Sequence, residues 1–137
     1  MLRKDGKIEL LKTVPLFSHC TKKQLRAVAS LADLVQLPTG TKLITEGAPG
    51  SEFMVFVEGS GEVRRKGRKV DTLGPGECIG EIALITGGPR NATVRATSDV
   101  SLLVVSGRDF WTLLDASPEL QRSVLKALGE RLAPTAV

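Results

Sequence analysis

No tyrosine occurs in this chain, and aromatic residues make up only 4% of it. So few rings exclude the aromatic-studded basic face that grips nucleic acid, and the basic residues are spread out rather than gathered into one. Histidine is nearly absent too. His19 is the one copy, and a single histidine cannot build a zinc or iron site. The two cysteines, Cys20 and Cys78, have neither metal-ligand spacing nor the numbers of a disulfide framework. No apolar run reaches the roughly 18 residues of a membrane span. The opening MLRKDGKIELLK lacks the apolar centre of a secretory signal. The cytoplasm is therefore the expected compartment, and there the Asn91-Ala92-Thr93 triplet is no glycosylation acceptor.

What is present points to an ordinary folded domain. At 137 residues the chain suits one compact unit, and 42% hydrophobic with 25% charged residues argues against disorder. The net charge of +4 is mild and consistent with an anionic ligand. Fourteen glycines separate short apolar runs, which points to a turn-rich β fold.

The N-terminal part reads as helical. Ile8, Leu10 and Leu11 form an apolar face, VPLFS makes a proline-broken elbow, and Thr21 with Gln24 has capping-box spacing before a second helix. From residue 33 the character changes. DLVQL, KLITEG, FMVFVEG, EVRRKG and KVDTLG read as strands, followed later by TVRATS and SLLVVS. Lys66-Gly67 is the expected hairpin turn, and Gly61, inside a strand-like run, predicts a bulge or a close contact. RRKGRK at residues 64–69 reads as a solvated hairpin tip. Ser106 with Asp109 caps a helix over GRDFWTLLDA. Ser117-Pro118 starts another, along which Leu120, Val124, Leu128 and Leu132 recur every four residues, as a core stripe, a dimer seam or a lid. The helix–strands–helix order predicts a mostly β sandwich or barrel of about eight strands with flanking helices.

One segment interrupts the strand block: GEIALITGGPRNATV, residues 80–94. It places a carboxylate, Glu81, nine residues before a guanidinium, Arg90, among small residues. Gly80 permits a tight turn or close approach. Residues 81–84 can form one helical turn whose first amides are free for an anion, and Ala83 is small enough not to block a ligand lying on that turn. Gly87-Gly88-Pro89 turns the chain back, and Arg90 offers a forked donor suited to phosphate. Glu81, an acceptor only when ionised, suits hydroxyls instead. A ribose phosphate satisfies both demands, and a cyclic phosphate is compact enough to touch both. A P-loop is excluded because no lysine follows Gly87-Gly88. GPGECIG, residues 74–80, misses the dinucleotide-binding spacing by one residue and opens no long helix.

The segment closely resembles the phosphate-binding cassette of cyclic-nucleotide-binding domains. Gly80, Glu81, Ile82, Ala83, Leu84, Pro89, Arg90, Ala92, Thr93 and Val94 match its pattern in register. LPTGTKLITEGAPGSEFMVFVEG, LGPGE and SPELQ extend the resemblance over roughly residues 14–132, and Ile79 departs from it where the family has phenylalanine. The resemblance implies an eight-stranded β jelly roll with N-terminal and C-terminal helices and a short cassette helix between strands. It implies a single domain over residues 1–137: a helical segment at 1–32, a jelly roll at 33–106 with the cassette at 78–94, and C-terminal helices at 107–132. Arg90 is then expected to bind the cyclic phosphate and Glu81 the ribose 2′-hydroxyl, with Gly80 and backbone groups of Ile82, Ala83 and Ala92 assisting. Asn91 stands where relatives carry Ala, Thr or Ser, so it is expected to bear on the choice of base. Arg131 falls where some relatives stack an arginine on the purine.

The expected function is a regulatory sensor rather than an enzyme. It needs no cofactor or metal; its ligand is cyclic AMP, favoured over cyclic GMP, and its output is movement of the C-terminal helix. The alternative is a degenerate jelly roll that binds no nucleotide and acts as a scaffold. A cupin-like metal enzyme would need several inward-facing ligands, and His19 lies outside the strands. Only APTAV follows Leu132, too short for a DNA-binding helix-turn-helix. The expected partners are therefore an effector domain, a separate protein or a second copy of the chain.

Overall fold

The computed structural model describes residues 3–135; the outermost two residues at each end of the expected 1–137 domain lie outside them. Helix α1 (Lys4–Lys12) buries Ile8 and Leu11, and a 3-10 turn at Pro15–Phe17 forms the elbow. Helix α2 (Lys22–Ala29) carries the full capping box: Thr21 Oγ1 accepts from the Gln24 amide, and the Gln24 side chain accepts from the Thr21 amide.

Eight strands follow: β1 (Asp33–Leu37), β2 (Lys42–Ile44), β3 (Phe53–Glu58), β4 (Gly61–Arg65), β5 (Arg68–Leu73), β6 (Cys78–Ile79), β7 (Thr93–Ala96) and β8 (Val100–Val105). Helix α3 (Glu81–Thr86) sits between β6 and β7, and α4 (Gly107–Ala116) and α5 (Pro118–Leu132) close the chain. The strands form two four-stranded sheets, ordered β1-β8-β3-β6 and β2-β7-β4-β5, with every pairing antiparallel. That alternation between sheets is the jelly roll the resemblance implied.

The core explains the two strongest apolar runs. One cluster fills the space between the sheets and holds Met54, Phe56, Leu102, Val94 and Ala96. A second lies under the helices and holds Phe53, Val55, Leu103, Val105, Phe17, Phe110 and Leu120. Side chains alternate across a strand, so β3 and β8 bury both faces and read as unbroken hydrophobic sequence. Phe17 ties the elbow to both neighbours, with ring centroids 5.7 Å from Phe53 and 5.8 Å from Phe110. Burial of each such ring contributes about 1.5–3 kcal/mol.

Several local expectations find their physical form. Arg65 pairs with Arg68 across the two-residue turn Lys66-Gly67, both at positive φ (52° and 77°), as a type I′ hairpin needs. Gly61 marks a close contact: a Cβ there would lie 2.9 Å from the Phe56 ring, while the register shift between β4 and β5 falls later, between Val63 and Arg64. β5 is an exposed, charged sheet edge. β6 has only two residues and is not among the strands read from the sequence. The leucine stripe divides: Leu120 and Val124 are buried, Leu128 packs on the core, and Leu132 is 66% exposed. Just after the elbow the chain meets α5, with His19 Nε2 and Glu130 Oε1 2.7 Å apart, and α2 meets it through Ser123 Oγ donating to Gln24 Oε1 at 3.0 Å.

Candidate ligand-binding site

Strand β6 delivers the chain to Gly80, which turns it into α3 in the left-handed region (φ 83°). Any Cβ on residue 80 would collide with Arg90 and stand 2.7 Å from the Glu52 carbonyl oxygen. The first-turn amides of α3 have no carbonyl one turn back to bond to. After α3, the segment 87–89 returns the chain to Arg90. Its backbone is fixed on the preceding loop: the Arg90 amide donates to the Ala48 carbonyl (3.0 Å), and its carbonyl accepts from the Gly47 amide (2.8 Å).

The Arg90 side chain is only 7% exposed. Nη2 donates to the Glu52 carbonyl at 2.6 Å, and Nη1 is buried with no hydrogen-bond partner among the described residues. Burial holds this guanidinium below the usual arginine range, partly offset by the nearby Glu52 charge. Gly50 makes room for it, since a Cβ there would lie 2.7 Å from Arg90 Nε. A buried cation with a vacant donor is costly unless an acceptor, best an anion, meets it.

Glu81 is equally buried, at 7% exposure. Its Oε2 accepts from the Leu16 amide of the elbow at 3.2 Å, and its Oε1 lies 2.6 Å from Arg131 Nη2 on the last turn of α5. The sequence reading put Arg131 against a purine; in the structure its guanidinium pairs with this carboxylate.

Gly80, Glu81, Ala83, Arg90, Asn91 and Arg131 line one cavity of about 230 Å³, completed by Ile44, Thr86 and Pro89. The acid and the base nine residues apart therefore do share one site. Ala92 is buried and is not among the lining residues. The charged lining, Arg90 and Arg131 against Glu81, is net positive and suits an anion. The sequence did not single out Ile44, Thr86, Gly50 or Glu52. Glu52 acts through its backbone carbonyl, which no residue type announces. Cys78 is half-buried, and burial, with the Glu81 charge second, pushes its thiol up to about 11. It therefore packs as a neutral group. Among the described residues, no group of three or more His, Cys, Asp or Glu is placed to hold a metal ion.

The cassette helix is also held from behind. Trp111 of α4 donates from Nε1 to the Leu84 carbonyl at 3.0 Å. Trp111→Phe keeps an aromatic body and removes this bond, so it is expected to lower stability by about 1 kcal/mol in urea denaturation. An unchanged midpoint would show that the indole does not anchor α3.

Comparison with known proteins agrees with the geometry. The family model described as the cyclic nucleotide-binding domain matches residues 34–117. A cyclic nucleotide-gated potassium channel of Rhizobium etli is 35% identical over 123 residues, which is 90% of this chain and 34% of the channel. A cAMP-dependent protein kinase regulatory subunit of Mycosarcoma maydis is 36% identical over 115 residues, 77% of this chain and 22% of the subunit. This chain thus spans about a third of the channel's length and less than a quarter of the subunit's. Among solved structures, the N-terminal domain of a transcriptional regulator from Streptomyces coelicolor A3(2) superposes with a TM-score of 0.84 at 34% identity, covering 92% of this chain and 94% of its own. A cyclic nucleotide-binding domain from Methylobacillus flagellatus superposes at 0.77 with 25% identity, covering 98% and 84%. With the family model spanning more than half the chain, on the same jelly roll that holds the cassette, this protein belongs to the cyclic nucleotide-binding domain family.

Proposed function

We propose that this protein is a regulatory sensor, not an enzyme, and that cyclic AMP is its preferred ligand over cyclic GMP. One observation carries the phosphate assignment: Arg90 is buried at the cavity wall with Nη1 unpartnered among the described residues. A cyclic phosphate supplies the anionic acceptor that this donor lacks, and the amides of Ile82, Ala83 and Ala92 assist. Glu81 takes the ribose 2′-hydroxyl, for which a carboxylate acceptor is suited. Asn91, exposed on the cavity rim, bears on the choice of base. The output passes through α5, whose last turn reaches the cassette at Glu81. An effector domain, a separate partner or a second copy of the chain receives that output in the cytoplasm.

Side-by-side calorimetric titration with cyclic AMP and cyclic GMP tests this. Saturable binding of both, tighter for cyclic AMP, is expected; no binding of either would leave the non-binding scaffold as the reading. Glu81→Gln is expected to weaken cyclic AMP binding by about tenfold or more, because a hydrogen bond to a charged acceptor contributes about 1.5–3 kcal/mol. Unchanged affinity would remove Glu81 from the ribose.

A further inference from the structure

Three separate parts of the chain meet at one buried carboxylate. Glu81 opens α3, its Oε2 accepts from Leu16 in the elbow, and its Oε1 pairs with Arg131 of α5. Nearby, α5 also meets the segment just after the elbow, at His19–Glu130, and helix α2, at Ser123–Gln24. Whatever disturbs Glu81 therefore reaches both ends of the fold through direct bonds.

The cavity is small, so a ligand that fills it comes up against the Glu81–Arg131 pair on its wall. Its volume is about 230 Å³, below the range of about 300–1,000 Å³ usual for small-molecule sites. Its walls are not equally able to yield. Ile44 belongs to a sheet, Gly80 and Arg90 are packed against each other, and Glu81 is buried. Arg131 differs: its side chain is 45% exposed, at the end of a helix, and the Glu81 pair is what ties it to the cavity wall. An ion pair with one wet partner is readily exchanged.

We infer that the ribose 2′-hydroxyl competes with Arg131 for the Glu81 carboxylate, so that the sugar of the ligand, not its phosphate, reports occupancy to α5 and to the N-terminal elbow. This rests on the assignment of Glu81 to the ribose. The phosphate meets Arg90, whose bonds run to the Glu52 carbonyl and the 47–48 loop; neither contact belongs to α5 or the elbow. Phosphate binding anchors the ligand, and the hydroxyl releases the junction. Arg131 then acts on affinity through Glu81 instead of through the base.

The test uses cyclic AMP and 2′-deoxy cyclic AMP, titrated into the parent chain and into Arg131→Gln. With the competitor removed, cyclic AMP is expected to bind about two- to fivefold tighter, the size of a partly exposed ion pair. The 2′-deoxy analogue is expected to show no such gain. Weaker or equal cyclic AMP binding by Arg131→Gln would overturn the inference, and so would an equal change for both ligands, which is what purine stacking predicts. A second readout needs no variant. In amide hydrogen exchange on the parent, cyclic AMP should speed exchange at Leu16 and in the last turn of α5 relative to the 2′-deoxy analogue. Identical exchange with the two ligands sinks the inference while leaving the binding site intact. Failure of both ligands to bind the parent sinks the site assignment itself.

Discussion

Arg90→Met is expected to abolish nucleotide binding and, at the same time, to raise the melting temperature of the protein measured without nucleotide. The two effects share one cause. Arg90 is 7% exposed, donates from Nη2 to the Glu52 carbonyl and leaves Nη1 without a partner among the described residues. Burial already disfavours its charged form. For the protein alone, the guanidinium is a desolvated cation that gains one good hydrogen bond. Methionine has an unbranched, adaptable side chain that fills much of the same space without a charge. Replacing buried charge by apolar bulk is often neutral or stabilising, by about 1–4 kcal/mol.

The lower end of that range applies here, because the Glu52 carbonyl loses its donor and costs about 1 kcal/mol in return. A net gain of about 1 kcal/mol corresponds to roughly 3–5 °C in a chain of this size. Binding moves the other way. Truncating one partner of a buried charge-assisted contact costs about 2–5 kcal/mol, a loss of roughly thirtyfold to several thousandfold. Thermal denaturation and calorimetry on one sample check both signs. A melting temperature several degrees lower would mean that Glu52 and the surrounding packing hold Arg90 for structural reasons. Unchanged binding would remove it from the phosphate.

The residues that carry this site differ in how visible they were in the sequence. Glu81 and Arg90 are joined by a short connection, so their pairing in one cavity follows from local order. β3 and β8 stood out because both of their faces are buried, which leaves unbroken apolar runs. β6 did not, since two residues cannot show an alternation. The partners of the functional side chains were the least visible. Leu16 contributes an amide and Glu52 a carbonyl, groups that every such residue owns. Arg131 was found by its place on the last helix, but its partner was not. An ion pair between residues 81 and 131 depends on how α5 crosses the cassette, and no pattern within either segment encodes that.

Gly80→Ala should damage stability and binding together, in contrast to the opposed effects at Arg90. Two separate costs arise at this residue. Its φ of 83° lies where an L-residue with a Cβ loses about 1–2 kcal/mol. The added Cβ would also stand 2.7 Å from the Glu52 carbonyl oxygen and press on Arg90 Nη1, and overpacking of this kind costs about 1–3 kcal/mol. A loss of about 2–5 kcal/mol is expected in urea denaturation. Gly87→Ala separates the two terms. Gly87 caps the far end of α3 with φ 65°, and a Cβ there meets nothing within 4 Å. That variant bears the backbone strain alone, so it should lose about 1–2 kcal/mol and keep its affinity for nucleotide. Gly80→Ala should lose affinity even where the protein remains folded, because the methyl group displaces the guanidinium from the carbonyl that aims it. If the two alanine variants were equally stable and bound nucleotide equally, strain alone would account for Gly80, and the close packing of residues 52, 80 and 90 would have no part in presenting the arginine.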